Sequence, residues 1–398
     1  MSSRESGRKL GLDIEFVDFN GVDISRSVIA IQTFEGLRDG LIEMDIIIRD
    51  EGSLIHEIDM RKLNEVDVGF VETVGKNDDE PTSFVISLVA NSIESYGRNL
   101  GSNTDAYVIK CLSRASIINE SVCISRSYKN VSISTVVGKM LDALQYRRTR
   151  DITPTAFSRD FIVPRICPLD VITWLLKHAV SNDTNTGDYV FYEDINGVHF
   201  KPFNTFTDGQ EPVRKYRIVS PNLLTTESDF DISTDKISIH KVQDIFADIE
   251  NDSEQVSVCQ FDVERGTQRI VEVPERKSQI NSDDTYVPAV TNNFDKVVTV
   301  FNTGFYQAIK EQSKPKFAKS LVNRGRIQRS HASIELPGEN IIKPGSLIEL
   351  EQYNALVEEL NPVYSGIWLV DQIKRIITSQ GYVIHAEIIT DRIITGRN

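Results

Sequence analysis

Six histidines offer the most direct route to chemistry in this chain: His56, His178, His199, His240, His331 and His385. They are scattered singly, and no two share the short spacing that brings a pair of imidazoles onto one metal. Asp229, Asp231 and Asp235 open with the rhythm of a calcium loop. Its sixth position is Thr234 where the sharp turn needs Gly, and its twelfth is His240 where the ion needs a bidentate Glu. The run Gly97-Arg98-Asn99-Leu100-Gly101 lacks the spacing and the following helix of a phosphate loop. No Gly-x-Ser-x-Gly elbow is present. Fifty-eight acidic residues leave a carboxylate pair for glycoside cleavage open, but nothing singles out two of them. The four cysteines, Cys111, Cys123, Cys167 and Cys259, are far apart and read as buried free thiols. The expectation is a chain with no catalytic residue, no metal ligand and no cofactor.

Composition narrows the partners. The 44 basic residues against 58 acidic ones give a formal charge of −14, which opposes a general electrostatic grip on a nucleic acid backbone. Two basic clusters, Tyr146-Arg147-Arg148-Thr149-Arg150 and the trio Arg324, Arg326 and Arg329, are short and not interleaved with several aromatics, so they read as solvated faces or loops. No run reaches the ~18 apolar residues of a membrane span, and the polar opening residues lack the apolar core of a secretory signal. These features lead us to expect a soluble protein made in a reducing cytoplasm. At 398 residues there is length for about two to four domains, each with its own core.

The elements that must position any of these groups are easier to read. From Leu12 the pattern has period two: Leu12, Ile14 and Phe16, then Asn20-Gly21 as a turn toward Val22 and Ile24, then Ile42, Met44, Ile46 and Ile48. Further runs at 66–70, 84–89 and 107–112, the first two separated by a polar loop at 75–82, bring the count to at least six strands, enough for a small sandwich or closed barrel. After Arg114 the texture changes. Ser132-Ile133-Ser134 opens a helix with Val136, Val137, Met140, Leu141 and Leu144 on one side, ending near the Arg147–Arg150 cluster.

Residues 161–203 are the most informative stretch. Pro168 suits the first turn of a helix and Asp170 its positive end, while Ile172, Leu175, Leu176 and Ala179 form one apolar face with Trp174 close by. A hairpin follows: a strand at 189–195, a turn at Asn196-Gly197 with positive φ expected at both residues, and a return strand at 198–203. On that return Val198 and Phe200 face one way, His199 and Lys201 the other. Beyond Pro221 the β pattern resumes around Ile237, Ile239 and Val242. Residues 248–300 are poorly patterned apart from a strand at 269–273, and 305–322 reads as a helix interrupted by Pro315. The end is β again: Ala332, Ile334 and Leu336 alternate, Pro344-Gly345 turns, and strands follow at 347–350, 367–370, 373–378 and 382–389, the last two joined at Gln380-Gly381.

In this order the elements resemble the baseplate hub proteins of contractile-tailed bacteriophages, with the related late-control proteins and the N-terminal hub part of type VI secretion spike proteins. Three stretches carry the resemblance: SYGRNLGSNTDAYVIKCLSRAS at 95–116, the Pro-Leu-Asp helix with the YVFYEDINGVHFKPF hairpin, and ASIELPGENIIKPGSLIELE followed by GIWLVDQIKRIITSQGYVIHAEIITDR. In the last, Pro344-Gly345, Gly366, Trp368 and Val370 occupy the family's pattern of strand, Pro-Gly, strand, loop and Gly–aromatic–Val. Arg375 stands where family members often carry a histidine. The residues taken to be structurally important are therefore Trp174, Asn196, Gly197, Pro344, Gly345, Gly366 and Trp368, with the two tryptophans as core anchors.

The resemblance implies a β-rich α+β fold with two tube-protein-like β-barrels, at 10–113 and at 206–247 with 325–393. An α+β domain would occupy 114–205 and an insert with irregular and helical segments 248–324. It implies a non-enzymatic homotrimer whose six barrels form a pseudo-sixfold ring, adapting a hexameric tail tube to a trimeric central spike among surrounding baseplate proteins. DNA would pass through the channel without specific binding, past a lumen expected to be lined by acidic side chains. The place implied is the virion baseplate, with assembly in the host cytoplasm. Because the chain ends at Asn398 without a long spike repeat, the spike is expected to be a separate polypeptide. Two other readings remain: a carbohydrate- or receptor-binding tail protein, which would cluster exposed aromatics on loops, and a tail-associated peptidoglycan hydrolase, which would need a cleft with paired carboxylates.

Overall fold

A computed structural model describes residues 11–50, 63–73, 83–99, 104–182, 187–221, 230–241, 256–262, 267–273, 296–302, 330–353, 360–361, 364–379 and 381–390. The expected helix at 305–322, the loop at 75–82 and the trio Arg324, Arg326 and Arg329 lie outside these residues.

Among the described residues the N-terminal β block holds seven strands: β1 (Gly11–Phe19), β2 (Val22–Asp23), β3 (Val28–Gly36), β4 (Glu43–Asp50), β5 (Asn64–Thr73), β6 (Ser83–Asn99) and β7 (Thr104–Ser113). Their order is β3-β4-β7-β6-β5-β1-β2, antiparallel throughout. Alternation is the cause: Val17, Phe19, Ile46, Ile48, Val66, Val68, Phe70, Ile86 and Leu88 fall on one buried face. Asn20 (φ 53°) and Gly21 (φ 86°) make the two-residue turn with positive φ at both positions that joins β1 to β2.

The chain then builds an α+β unit from α1 (Arg114–Ser121), β8 (Ile124–Ser132), α2 (Ile133–Ala143), β9 (Arg150–Ile152), β10 (Ser158–Ile166), α3 (Pro168–Leu176), β11 (Tyr189–Asp194) and β12 (Gly197–Pro202). Ser132 caps α2, its Oγ accepting the Thr135 N–H, and Val136, Val137, Met140 and Leu141 are buried as their spacing requires. α3 begins with Pro168 at its first turn, and Asn119 of α1 accepts the Leu169 N–H at 2.9 Å. α1 has no apolar stripe and no sequence signal marked it. β8 and β10 pair as a two-stranded sheet whose residues are mostly exposed, which left them unmarked as well. The expectation of buried thiols needs correction here: Cys111 is buried, but Cys123 is exposed and Cys167 half-buried, because both flank this open sheet.

The C-terminal β block also has seven strands among the described residues: β13 (Arg214–Val219), β14 (Asp231–Ser233), β15 (Ile237–Lys241), β19 (Ser330–Pro337), β20 (Leu347–Glu351), β21 (Gly366–Thr378) and β22 (Gly381–Thr390). Their order is β14-β13-β20-β21-β22-β19-β15. Between β15 and β19, a separate three-stranded sheet in the order β17-β16-β18 forms from β16 (Val256–Asp262), β17 (Thr267–Val273) and β18 (Lys296–Asn302). The two strands expected at 367–370 and 373–378 are a single strand. A register shift between Val370 and Gln372 leaves Asp371 at an irregularity without ending the pairing with β22.

The two β blocks are joined by a strand pair. β3 runs antiparallel to β21 from Gly36 opposite Gln372 to Ala30 opposite Thr378, making one fourteen-stranded sheet among the described residues. One apolar cluster, including Ile31, Ile46, Phe70, Trp368 and Ile384, spans both blocks. A second, with Val137, Phe161, Ile172 and Phe200, fills the α+β unit.

Candidate functional site

Where the three units meet, a third and smaller apolar cluster takes one or more residues from each. Leu37 lies just past the end of β3, Val190, Tyr192, Phe203 and Phe206 come from the hairpin and its exit, and Leu347, Leu369 and Ile389 from the C-terminal block. The hairpin can do this because it has two apolar faces. Tyr189, Phe191, Val198 and Phe200 point into the α+β core, while Val190 and Tyr192 point into the junction. All six residues of β11 are buried, as its unbroken Tyr-Val-Phe-Tyr run requires. His199 and Lys201 face the same way as Tyr192, and the His199 ring stacks on Tyr192 at 4.8 Å.

The turn differs from the expected one. β11 ends at Asp194 and β12 starts at Gly197, so Ile195 and Asn196 form the loop, and only Gly197 has positive φ (137°). The Asp194 carboxylate decides this by accepting the Asn196 N–H at 2.7 Å and the Gly197 N–H at 3.2 Å. Gly197 is required by space too: a Cβ there would stand 2.3 Å from the Thr149 carbonyl oxygen.

Two buried ion pairs flank the third cluster. Arg375 on β21 and Glu35 on β3 sit one diagonal step apart in the strand pair that joins the β blocks, with Nε to Oε1 at 2.6 Å and both side chains fully buried. Arg375 also donates to the Tyr382 hydroxyl at 2.5 Å and the Ile342 carbonyl at 2.9 Å. Burial alone would lower the guanidinium pKa, but Glu35 and Tyr382 outweigh it and hold the charge more firmly than in water. Glu35 further accepts the Thr33 hydroxyl and, at 3.4 Å, the Ile195 N–H of the hairpin loop.

The second pair is Arg148 with Glu193, at 2.7 Å. Glu193 is fully buried, and accepts the Tyr146 hydroxyl at 2.7 Å and the Ile42 N–H of the N-terminal block at 3.2 Å. Arg148 also donates to the Asp194 and Ile195 carbonyls. The basic cluster at 146–150 is therefore not a solvated face at this position. Arg148 turns inward because a buried carboxylate and two loop carbonyls need its donors, and Arg150 ties Asp142 to the Tyr146 carbonyl.

Between the hairpin and the C-terminal block lies an open cleft of about 290 Å³, lined by Asp194, His199, Lys201, Phe206, Lys343 and their neighbours. His199 Nε2 lies 3.1 Å from Asp194 and Nδ1 3.4 Å from Asp151, and Lys201 pairs with Asp151 at 2.5 Å. Burial pushes the Asp194 carboxyl up, but His199 and the Asn196 N–H outweigh it and hold it below the usual range. Both imidazole nitrogens face carboxylates. Neither nitrogen makes a well-formed hydrogen bond there, so the stack on Tyr192 is what positions the ring, whereas a general base must direct one nitrogen at a nucleophile or substrate. Among the described residues no group of three or more His, Cys, Asp or Glu is placed to hold a metal.

Of the seven residues singled out in sequence, three line this cleft: Asn196, Pro344 and Gly345. Pro344 and Gly345 form a turn closed by Ser346 N–H to the Lys343 carbonyl, with Gly345 at φ 88°. A Cβ on Gly345 would come within 2.4 Å of the Phe206 ring, so the glycine lets hairpin exit and turn approach. Gly197 follows Asn196 as the first residue of β12. Gly366 (φ 136°) opens β21, and Trp368 two residues on is buried in the main core, its Nε1 donating to the Tyr364 carbonyl at 3.1 Å. Trp174 lies apart on α3, half-buried and edge-on to Phe161 and His178. Glu35 and Glu193 carried no signal in the sequence, Arg375 only its departure from a histidine, and Arg148 only its place in a basic cluster.

No family model matches the sequence. Over 400 residues the chain is 20% identical to the probable baseplate hub protein gp334 of Vibrio phage KVP40, covering 96% of this chain and 93% of that protein. A tail protein from Neisseria meningitidis MC58 shares the fold with a TM-score of 0.61 at 11% identity, over 96% of this chain and 98% of its own. The 43 kDa tail protein of prophage MuSo2 from Shewanella oneidensis does so at 0.56 and 8% identity, over 95% and 98%. The fold is thus that of phage tail proteins, the sequence relative spans nearly the whole chain, and the chain resembles the baseplate hub family to which its motifs point.

Proposed function

We propose that this chain is the structural hub of a contractile-tail baseplate, acting through assembly and not through a reaction. The observation that carries the reading is the doubling within one chain: among the described residues, two seven-stranded β blocks joined where β3, at the edge of one, pairs with the stretch of β21 beyond its pairing with β20. Three copies of such a chain supply six β blocks, so one face of a closed ring can match a hexameric tail tube while the other keeps threefold symmetry for a trimeric spike. The whole-length similarity to a probable hub protein supports the same reading. Each block acts as one tube-like domain, the α+β unit and the insert decorate the ring, and the buried ion pairs hold the blocks at a fixed angle. The lumen passes DNA, and carboxylates from the excess of 14 negative charges keep the polyanion from adhering.

Light scattering on the purified chain tests this. A mass near three times 44.9 kDa, about 135 kDa, is expected, either alone or on mixing with the tube and spike proteins of the same tail. A chain that stays monomeric at micromolar concentration with both partners present would overturn the hub reading.

A further inference from the structure

Cys123 immediately precedes β8 and Cys167 immediately follows β10. The last pair of that antiparallel sheet is Ile124 opposite Ile166. One step further along both strands, the register sets Cys123 opposite Cys167. Directly opposed residues of an antiparallel pair hold their Cβ atoms about 4.5–5.5 Å apart, close to the roughly 3.5–4.5 Å of a disulfide. Cys123 is exposed and Cys167 half-buried, and both are free thiols. The Cys167 thiol is raised above the usual thiol range, first by desolvation and then by the neighbouring Cys123 thiol. Cys111, by contrast, is buried in the β core.

We propose that Cys123 and Cys167 are a redox pair that closes to a disulfide when the protein meets a small-molecule disulfide oxidant. The exposed Cys123 loses its proton to water, and its thiolate attacks one sulfur of the oxidant. The oxidant's S–S bond breaks, a mixed disulfide forms and one small thiolate leaves. The Cys167 thiolate, its proton also gone to water, then attacks Cys123 Sγ, forming the protein S–S bond and releasing the second small thiolate. The chain gives up two electrons and the oxidant is reduced to two thiols. The bond fastens the start of β8 to the N-terminus of α3, where Asn119 already caps Leu169. It closes a long loop containing α2 and β10, the case in which a crosslink most restricts the unfolded chain.

The test uses the full chain incubated with oxidised glutathione, then alkylated and digested without reductant for mass spectrometry. The expected result is a peptide pair joined through Cys123 and Cys167, two hydrogens lighter than its reduced parts, within a single chain on a non-reducing gel. The melting temperature rises by a few degrees and falls back on reduction. Cys123→Ser, at an exposed position, abolishes both the crosslink and the rise, and Cys167→Ala does so from the other side. Stable glutathione adducts on both cysteines, alkylation of both after oxidation, or a crosslink between chains would each overturn the proposal.

Discussion

The molecule has two joints, and they are built on opposite plans. Between the β blocks, β3 and β21 share a continuous ladder, and inside it Arg375 and Glu35 meet with no exposure at all. Between the α+β unit and the blocks, the ladder shrinks to one bridge from Gly40 to Tyr192 and a few side chains around the hairpin loop, with Arg148 still partly in solvent. The first joint is backbone with a charge locked in it. The second is a plug of apolar side chains held in register by the buried carboxylates of Glu193 and Glu35. A ladder resists shear along its whole length, whereas a plug can be loosened by one substitution, so the two should fail differently.

The largest effect is expected at Arg375. Arg375→Ala strands the Glu35 carboxylate in the core, a loss of about 3–5 kcal/mol in denaturant unfolding. Replacing both partners, as Arg375→Met with Glu35→Leu, should recover most of that loss, because the cost lies in the orphaned charge. A single-mutant loss below about 1 kcal/mol would mean that the ladder alone holds the joint. The pair would then be better read as fixing register.

Arg375 also marks what the sequence could and could not disclose. A strand through 373–378 is legible from Ile373, Ile376 and Ile377, and an arginine in such a strand reads as an outward side chain until its partner is known. That partner, Glu35, lies 340 residues away, and period-two alternation says nothing about which strand pairs with which. The hairpin shows the same boundary at short range. Asn196-Gly197 announced a turn, but the Asp194 carboxylate moved it one residue back. Elements with few buried residues, such as α1 with only Ala115 and Asn119 and β8 with only Tyr128, escaped because periodicity reports burial and they have little.

At the second joint, Gly345→Ala attacks the plug from the C-terminal block. The added methyl meets the Phe206 ring at a residue with φ 88°, so steric and backbone penalties combine to about 2–3 kcal/mol. Because the clash lies at the junction, limited proteolysis should release the α+β unit before the β blocks unfold. Simultaneous loss of both would show that the joints are one cooperative unit. Arg148→Ala is milder, about 2 kcal/mol, since Tyr146 and the Ile42 N–H still satisfy part of Glu193. A double-mutant cycle with Arg375→Ala should be additive within about 0.5 kcal/mol if the joints are independent. Coupling well above that would implicate the Ile195 N–H that reaches Glu35 from the hairpin loop.

The smallest effect separates the units by pH. The charges of both joints are arginines facing carboxylates, and an arginine stays protonated across the neutral range. The α+β unit instead carries His178, edge-on to Trp174 and pushed down to about 4 from 6.5, first by desolvation and then by Arg159 and Lys177. A depressed histidine favours the neutral form, so between these two values the unfolded chain binds the extra proton and the folded chain does not. Stability from this site is complete above pH 6.5 and drains away as the pH falls toward 4, with about 1 kcal/mol lost near a pH of about 5.5. Trp174→Ala should hydrate the ring, return its titration toward 6.5 in an NMR experiment, and flatten that part of the stability profile. Mild acid would then loosen the wild-type α+β unit while the β3–β21 joint stays shut. If hydrogen exchange at the two regions instead quickened together, the difference between ladder and plug would not extend to their response to protons.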